Sequence, residues 1–190
     1  MQDPIEIFRT LYEQAAQSWA EPDAMVLSTV DPDGRPAGRY VLLKAVEARG
    51  FVFYTNLGSR KARALDANPF ASLCFYWPSI HKQVRIEGRV EHVTDAEADA
   101  YFATRSRESQ IGAWASQQSA VLESPAVLAE KVAAVRERFG EGAVSRPPFW
   151  SGFRVVPTSI EFWTRDAARL HLRERFDRHG DRWMRSLLYP

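Results

Sequence analysis

Two cations sit where a helix should repel them. The stretch SRKARALDANP reads as a short helix with Ser59 as N-cap and Pro69 beyond its end, so Arg60 and Lys61 both fall in the first turn. Positive charge there opposes the helix macrodipole at about 0.3–1 kcal/mol per residue. Either the pair is solvated and tolerates that cost, or an anion such as phosphate sits there, held by the two side chains and free backbone N–H groups.

A second group with phosphate chemistry lies in YFATRSRESQ. Tyr101 and Arg105 are four apart, so on a helix they share a face, and Ser109 follows four further on. Two hydroxyls and a guanidinium suit a phosphate monoester; a solvated helix-end arginine is the plainer alternative. Arg39 and Lys44 bracket YVLL and have opposite parity, so in a regular strand they face different sides. The third feature is RLHLRERF: Arg169, His171, Arg173 and Arg175 share one parity, while Leu170, Leu172 and Phe176 share the other. As a strand it carries cations and an imidazole on one face and mostly apolar residues on the other. EFW at Glu161–Trp163 offers aromatic surface for a planar ligand or simply core.

Other chemistries have little support. The four histidines show no metal-ligand spacing among themselves or with Cys74. G-x-S-x-G, P-loop and G-x-G-x-x-G patterns are missing. With 25 basic against 24 acidic residues the net charge is +1, which argues against general nucleic-acid binding, so an anion site must be a local cluster. Cys74, the one cysteine, reads as a small buried residue in FASLCFYW; it excludes a disulfide within the chain and suits a reducing cytoplasm. MQDPIEIF shows no basic or apolar leader, and no apolar run reaches the roughly 18 residues of a membrane span.

The elements that must position these residues follow from periodicity. Asp3 and Pro4 open a helix over 3–19, with Ile5, Phe8, Leu11, Ala15 and Trp19 on one stripe. AMVLSTV, GRYVLLKAV and FVFYTN form a meander through turns at DPDG and EARG. FASLCFYW and the alternating KQVRIEGRVEHV are two more strands. TDAE at Thr94–Glu97 is a capping box that starts a helix towards Arg105. SQIGAWASQQS reads as a short helix and loop, and Ser124–Pro125 starts a helix with Leu128, Val132, Val135 and Phe139 on one stripe. GFRVVP, SIEFWT, ARLHLRERFDR and DRWMRSLLY close the chain as strands. The expectation is one α+β domain over 1–190, an antiparallel β-barrel or strongly curled sheet with peripheral helices.

In order and spacing, RYVLLK, GFVFYTN, SRKA, QVRIEGRVE, DAYFATR, SQIGAWASQQS, GFRV, IEFW and RLHLR resemble the pyridoxamine 5′-phosphate oxidase family, flavoproteins with an FMN-binding split β-barrel. The resemblance implies FMN contacts from Arg39, Tyr40, Val41, Leu42, Leu43 and Lys44, and from Tyr54, Thr55, Arg60 and Lys61. It adds Gln83, Gln118, Ser119, Trp163 and Arg173. Lys44, Tyr101, Arg105 and Ser109 would hold the substrate phosphate, with Arg169 and His171 as the catalytic pair over its pyridine ring. It further implies a homodimer with FMN at the subunit interface, no metal, and oxidation of pyridoxamine or pyridoxine 5′-phosphate to pyridoxal 5′-phosphate. Oxygen is the acceptor and hydrogen peroxide the second product.

Three departures from the family pattern stand out. The chain begins at its first helix, where typical members carry a basic, tyrosine-containing arm over the substrate. Leu172 stands where the pattern R-L-H-D-R has aspartate, and Leu187 where R-L-x-P has arginine. A His179–Gly180 hairpin loop puts Leu172 directly opposite Leu187, an Asp–Arg pair turned Leu–Leu; a Gly180–Asp181 loop instead places Tyr189 there. These departures keep two other readings in view: an FMN oxidase of another cyclic substrate, as in the phenazine branch, and a non-catalytic flavin or pyridoxal-phosphate binding protein.

Overall fold

The structure, a computed structural model, describes residues 3–190. Nine antiparallel strands form one sheet, in the order β2-β1-β5-β6-β7-β4-β3 with β8 and β9 added beside β7. The strands are β1 (Ala24–Val30), β2 (Pro36–Leu42), β3 (Ala45–Glu47), β4 (Gly50–Asn56), β5 (Phe70–Trp77), β6 (Lys82–His92), β7 (Trp150–Thr164), β8 (Leu172–His179) and β9 (Arg182–Leu188). The edge strands β2 and β3 are consecutive in the chain, so the sheet curls until its two edges meet at Leu43–Lys44. There the Leu43 N–H donates to Asp23 O and the Lys44 N–H to Val52 O, each at 2.8 Å. The single strand expected over GRYVLLKAV is thus two, broken at the barrel seam. Strand parity therefore does not relate Arg39 to Lys44.

GFRVVP and SIEFWT also differ from expectation: they are halves of β7, continuous through Pro157. One edge of β7 pairs with β6, and its other edge pairs first with β4 and then with β8. The register shift lies at Gly88, where a Cβ would stand 2.1 Å from Val156 O, so only glycine fits. Alternation in β5 sends Ala71, Leu73, Phe75 and Trp77 inward. Cys74 consequently lies on the outer face, half-buried rather than buried.

Helix α1 (Pro4–Ala16) has Asp3 as its cap and closes one end of the barrel. Phe8 is fully buried, with ring centroids 4.9 Å from Phe51 and 5.0 Å from Phe75. The helix stops short of the expected 19, ahead of Pro22, and leaves Trp19 exposed. Helices α2 (Arg60–Ala67), α3 (Asp95–Thr104), α4 (Arg107–Ala115) and α5 (Pro125–Phe139) lie outside the barrel. A second apolar cluster joins Phe102, Ile111, Val144 and Trp150 to Val132, Val135 and Phe139 of α5. Leu128, the first residue of the α5 stripe, remains exposed. Among the described residues no helix is long and apolar enough to cross a membrane.

The β8–β9 hairpin corrects two expectations. His179 pairs with Arg182 and Arg173 with Leu188, so the loop is Gly180–Asp181, with Gly180 at φ +61°. Leu187 then faces Glu174, and Leu172 and Leu187 are diagonal neighbours rather than a direct pair. Strand β8 begins only at Leu172, and Arg169 has φ +68°. The row starting at Arg169 therefore lies partly in a turn, where strand parity has no meaning.

Candidate active site

Two capped helices and the barrel seam make the site. Ser59 Oγ accepts from the Ala62 N–H at 3.4 Å, and the Arg60 N–H is capped by Ser119 Oγ at 3.2 Å. Ser119 holds φ +74°, an uncommon backbone for a residue with a side chain. Arg60 forms an ion pair with Asp31 from the β1–β2 turn; that hydrogen bond holds the Asp31 carboxyl below its ordinary range. Asp31 Oδ1 is buried without a partner. Lys61 turns inward instead, 9% exposed, and its Nζ donates to Thr55 Oγ1 at 3.1 Å and Gln118 Oε1 at 2.9 Å. Burial first, and the nearby Arg39 second, lower its pKa to about 8. Arg39 donates to Thr29 Oγ1 at 2.8 Å and Leu27 O at 3.2 Å, and burial lowers its pKa.

The cleft beyond Lys61, about 480 Å³, brings together the sequence-expected Lys44, Tyr54, Tyr101, Arg105, Ser109 and Gln118. Tyr40, Val41, Leu42 and Thr55 line it as well. Arg39, Arg60, Lys61 and Ser119 line an adjoining groove of about 380 Å³, and Lys61 belongs to both. Helix α3 ends at Thr104, so Ser109 reaches the cleft from α4, behind a fresh N-cap at Ser106. Tyr54 stacks on Tyr101 at 4.1 Å and on Trp150 at 5.3 Å. Its ring lies against the backbone of Gly152, where a Cβ would come within 2.7 Å. Arg105 lies over the Trp150 ring at 4.8 Å; its Nη1 is buried with no hydrogen-bond partner, and burial lowers its pKa. Lys44 is partnered by Asp23 at 2.8 Å.

Of the sequence-expected residues, six lie elsewhere, five of them around β8. Gln83, Trp163 and Arg173 are cross-strand neighbours in one row over β6, β7 and β8. His171 packs its ring 4.6 Å from Trp163, and Arg169 lies exposed in the turn beside it. Arg173 is held by Glu161 at 2.7 Å. None of the five lines the cleft or the groove. Leu43, also expected at the site, is buried in the core at the seam.

Sequence reasoning missed Asp23, Asp31, Trp150 and Asn56, which lines the cleft and donates to Ser116 O at 3.1 Å. Asp31 showed itself only as a turn residue. Trp150 carries no spacing that points to Arg105. A larger cavity of about 740 Å³ opens beside the site between Trp114, Val135 and Phe149. Its cations, Arg63 and Lys131, are exposed or partly so, whereas the buried Lys61 lies in the smaller cleft.

Fold and cleft define a split-β-barrel protein with a site built for anions. The family model for pyridoxamine 5′-phosphate oxidase matches residues 11–139, and that for the pyridoxine 5′-phosphate oxidase C-terminal dimerisation region matches 150–190. Pyridoxine/pyridoxamine 5′-phosphate oxidase from Myxococcus xanthus is 55% identical over 99% of this chain and 92% of its own length. The enzyme of that name from Azorhizobium caulinodans is 53% identical over 99% and 90%. The crystal structure of PhzG from Burkholderia lata, in complex with tetrahydrophenazine-1-carboxylic acid, superposes with TM-score 0.94 at 31% identity, covering 100% of this chain and 94% of that one. The chain belongs to the pyridoxamine 5′-phosphate oxidase family.

Proposed function

We propose that this protein is a homodimeric, FMN-dependent oxidase that converts pyridoxamine or pyridoxine 5′-phosphate to pyridoxal 5′-phosphate, with oxygen as acceptor and hydrogen peroxide as second product, in the cytoplasm. Two cations without a carboxylate carry the reading: the buried Lys61, and the half-buried Arg105 with its buried, orphaned Nη1. A buried charge is stable only when paired, and phosphate supplies the missing partner. Two phosphates fit the two hollows. Arg39, Arg60, Lys61 and Ser119 would hold that of FMN, and Lys44, Tyr101, Arg105 and Ser109 that of the vitamer.

Bound FMN would supply the two-electron redox chemistry. The chain's own residues bind, orient and exclude water. Tyr40, Val41 and Leu42, with Tyr54, Thr55 and Gln118, line the cleft. The row Gln83–Trp163–Arg173, with Arg169 and His171, lies in the region matched by dimerisation-type strands or beside it. In a homodimer that row from one protomer closes over the cleft of the other. Arg169 then lies over the substrate ring and favours negative charge developing on it.

Likeness to PhzG favours the phenazine-type alternative, but identity is higher to the pyridoxine/pyridoxamine 5′-phosphate oxidases, and Lys44, Tyr101, Arg105 and Ser109, the residues expected for the substrate phosphate, all line one cleft. Purified protein loaded with FMN and given pyridoxamine 5′-phosphate should release peroxide and pyridoxal 5′-phosphate. A colourless protein that takes up no FMN overturns the reading, as does a yellow one silent with both vitamer phosphates.

A further inference from the structure

We propose that Asp166 is a positioning residue: it builds the turn that presents Arg169 and His171, and it keeps the His171 proton on Nε2. The proposal rests on the functional reading of Arg169 and His171 given above. Asp166 lies between β7 and β8, outside both hollows. Its Oδ1 accepts from the Ala168 N–H at 2.8 Å and the Leu170 N–H at 3.2 Å. Its carbonyl oxygen accepts from the Arg169 N–H at 3.2 Å. Three consecutive N–H groups thus converge on one residue, an arrangement for which aspartate and asparagine are suited. Within that turn Arg169 holds φ +68°, a conformation that a non-glycine residue keeps only when its surroundings impose it.

The fourth bond fixes the imidazole. The Asp166 N–H donates to His171 Nδ1 at 3.1 Å. A backbone N–H can only donate, so Nδ1 carries no proton and the neutral ring carries it on Nε2. Trp163 packs against the same ring at 4.6 Å. With one nitrogen occupied and one face covered, His171 offers its Nε2–H outward. It serves the substrate as a hydrogen-bond donor, not as a base that takes a proton through that nitrogen.

Nitrogen NMR on the FMN-loaded dimer labelled with 15N-histidine reads the tautomer without turnover, with the His171 signals assigned by their loss in His171→Gln. Wild type should show Nε2–H. Asp166→Ala keeps the backbone donor but loses both Oδ1 bonds. It should mix the tautomers and lower kcat/KM for pyridoxamine 5′-phosphate by about tenfold, with FMN affinity and melting temperature unchanged. Asp166→Asn should restore both, because its amide oxygen accepts the same two bonds. A wild-type Nδ1–H signal overturns the proposal. So does Asp166→Ala with wild-type tautomer and kinetics, or Asp166→Asn as impaired as Asp166→Ala. If wild type releases no peroxide, the functional reading falls, while the tautomers of wild type and Asp166→Asn still decide the role of Asp166.

Discussion

Arg154 on one hand, and Lys61 with the half-buried Arg105 on the other, are cations withdrawn from water, and the protein treats them oppositely. Arg154, with its side chain 3% exposed, bonds to Glu47 at 2.7 Å, to Glu91 at 3.1 Å and to Glu97. Burial disfavours its charge, yet the three carboxylates more than offset that and raise its pKa. Lys61 and Arg105 meet only a hydroxyl, an amide oxygen and an aromatic face, and their pKa values fall. The first group is complete within the chain and ties β3, β6, α3 and β7 together. The second finds no carboxylate within the chain, which is what the proposed phosphates would supply. Burial by itself does not single out a candidate ligand-binding cation; burial without a counter-charge does.

The largest break in this contrast comes from Arg154→Met. It leaves three glutamates facing one another, and losing one partner of a buried pair costs about 3–5 kcal/mol. The glutamate side chains are 35–41% exposed and regain water, so the lower end, about 3 kcal/mol, is expected in urea unfolding. A loss under about 1 kcal/mol would place Arg154 among ordinary surface pairs. Arg105→Met should do the reverse. Stability holds or rises, because an unpaired buried group is removed. KM for pyridoxamine 5′-phosphate rises about 10–100-fold, the equivalent of one charge-assisted bond. Destabilisation without a KM change would make Arg105 structural.

Lys61 sharpens the contrast through pH. Its pKa falls from 10.5 to about 8 on folding without ligand. Between those values the unfolded chain binds more protons than the folded one, so stability of the FMN-free protein rises with pH across that window. Below about 8 the buried charge weighs against the fold in full. Lys61→Met should flatten the rise and weaken FMN binding about tenfold or more. A pH profile unchanged by the substitution would mean that Lys61 is solvated. Bound phosphate should itself shrink the rise, because a nearby anion favours the charged form.

The contrast also shows which parts of the molecule a sequence displays. Local signals held: Ser59 and Thr94 cap helices, and the alternation in β6 sets its inner face. The residues proposed for phosphate were legible because Arg60–Lys61 and Tyr101–Arg105 lie on short helical spacings. Long-range pairing was not. Nothing local says that Arg154 gathers glutamates from three elements, that Lys44 meets Asp23, or that the chain breaks at Leu43 to close the barrel. The hairpin register turned on one residue of loop, which displaced Leu187 from Leu172 to Glu174. RLHLRERF looked like one strand because its alternation is regular, yet the bonds of Asp166 hold its first three residues in a turn.

The smallest expected effect separates the two jobs of Glu97. Its carboxylate closes the capping box with Thr94 and also meets Arg154. Hydrogen bonds from the Thr94 backbone, then from its hydroxyl, then from Arg154 lower its pKa to about 2. Such a depressed acid contributes stability above its ordinary pKa of 4.5, and that stability is lost as pH falls from 4.5 towards 2. Glu97→Gln keeps a side chain that can accept from the cap but removes the charge that Arg154 sees. It should cost about 1 kcal/mol or less at pH 7 and flatten the acid limb, because Glu97 is only partly buried and Arg154 keeps two glutamates. Glu97→Ala also loses the cap, at about 1 kcal/mol more. Equal losses for the two variants would assign the whole effect to charge and none to the cap. A steep acid limb surviving in Glu97→Gln would shift that limb to Glu47 and Glu91.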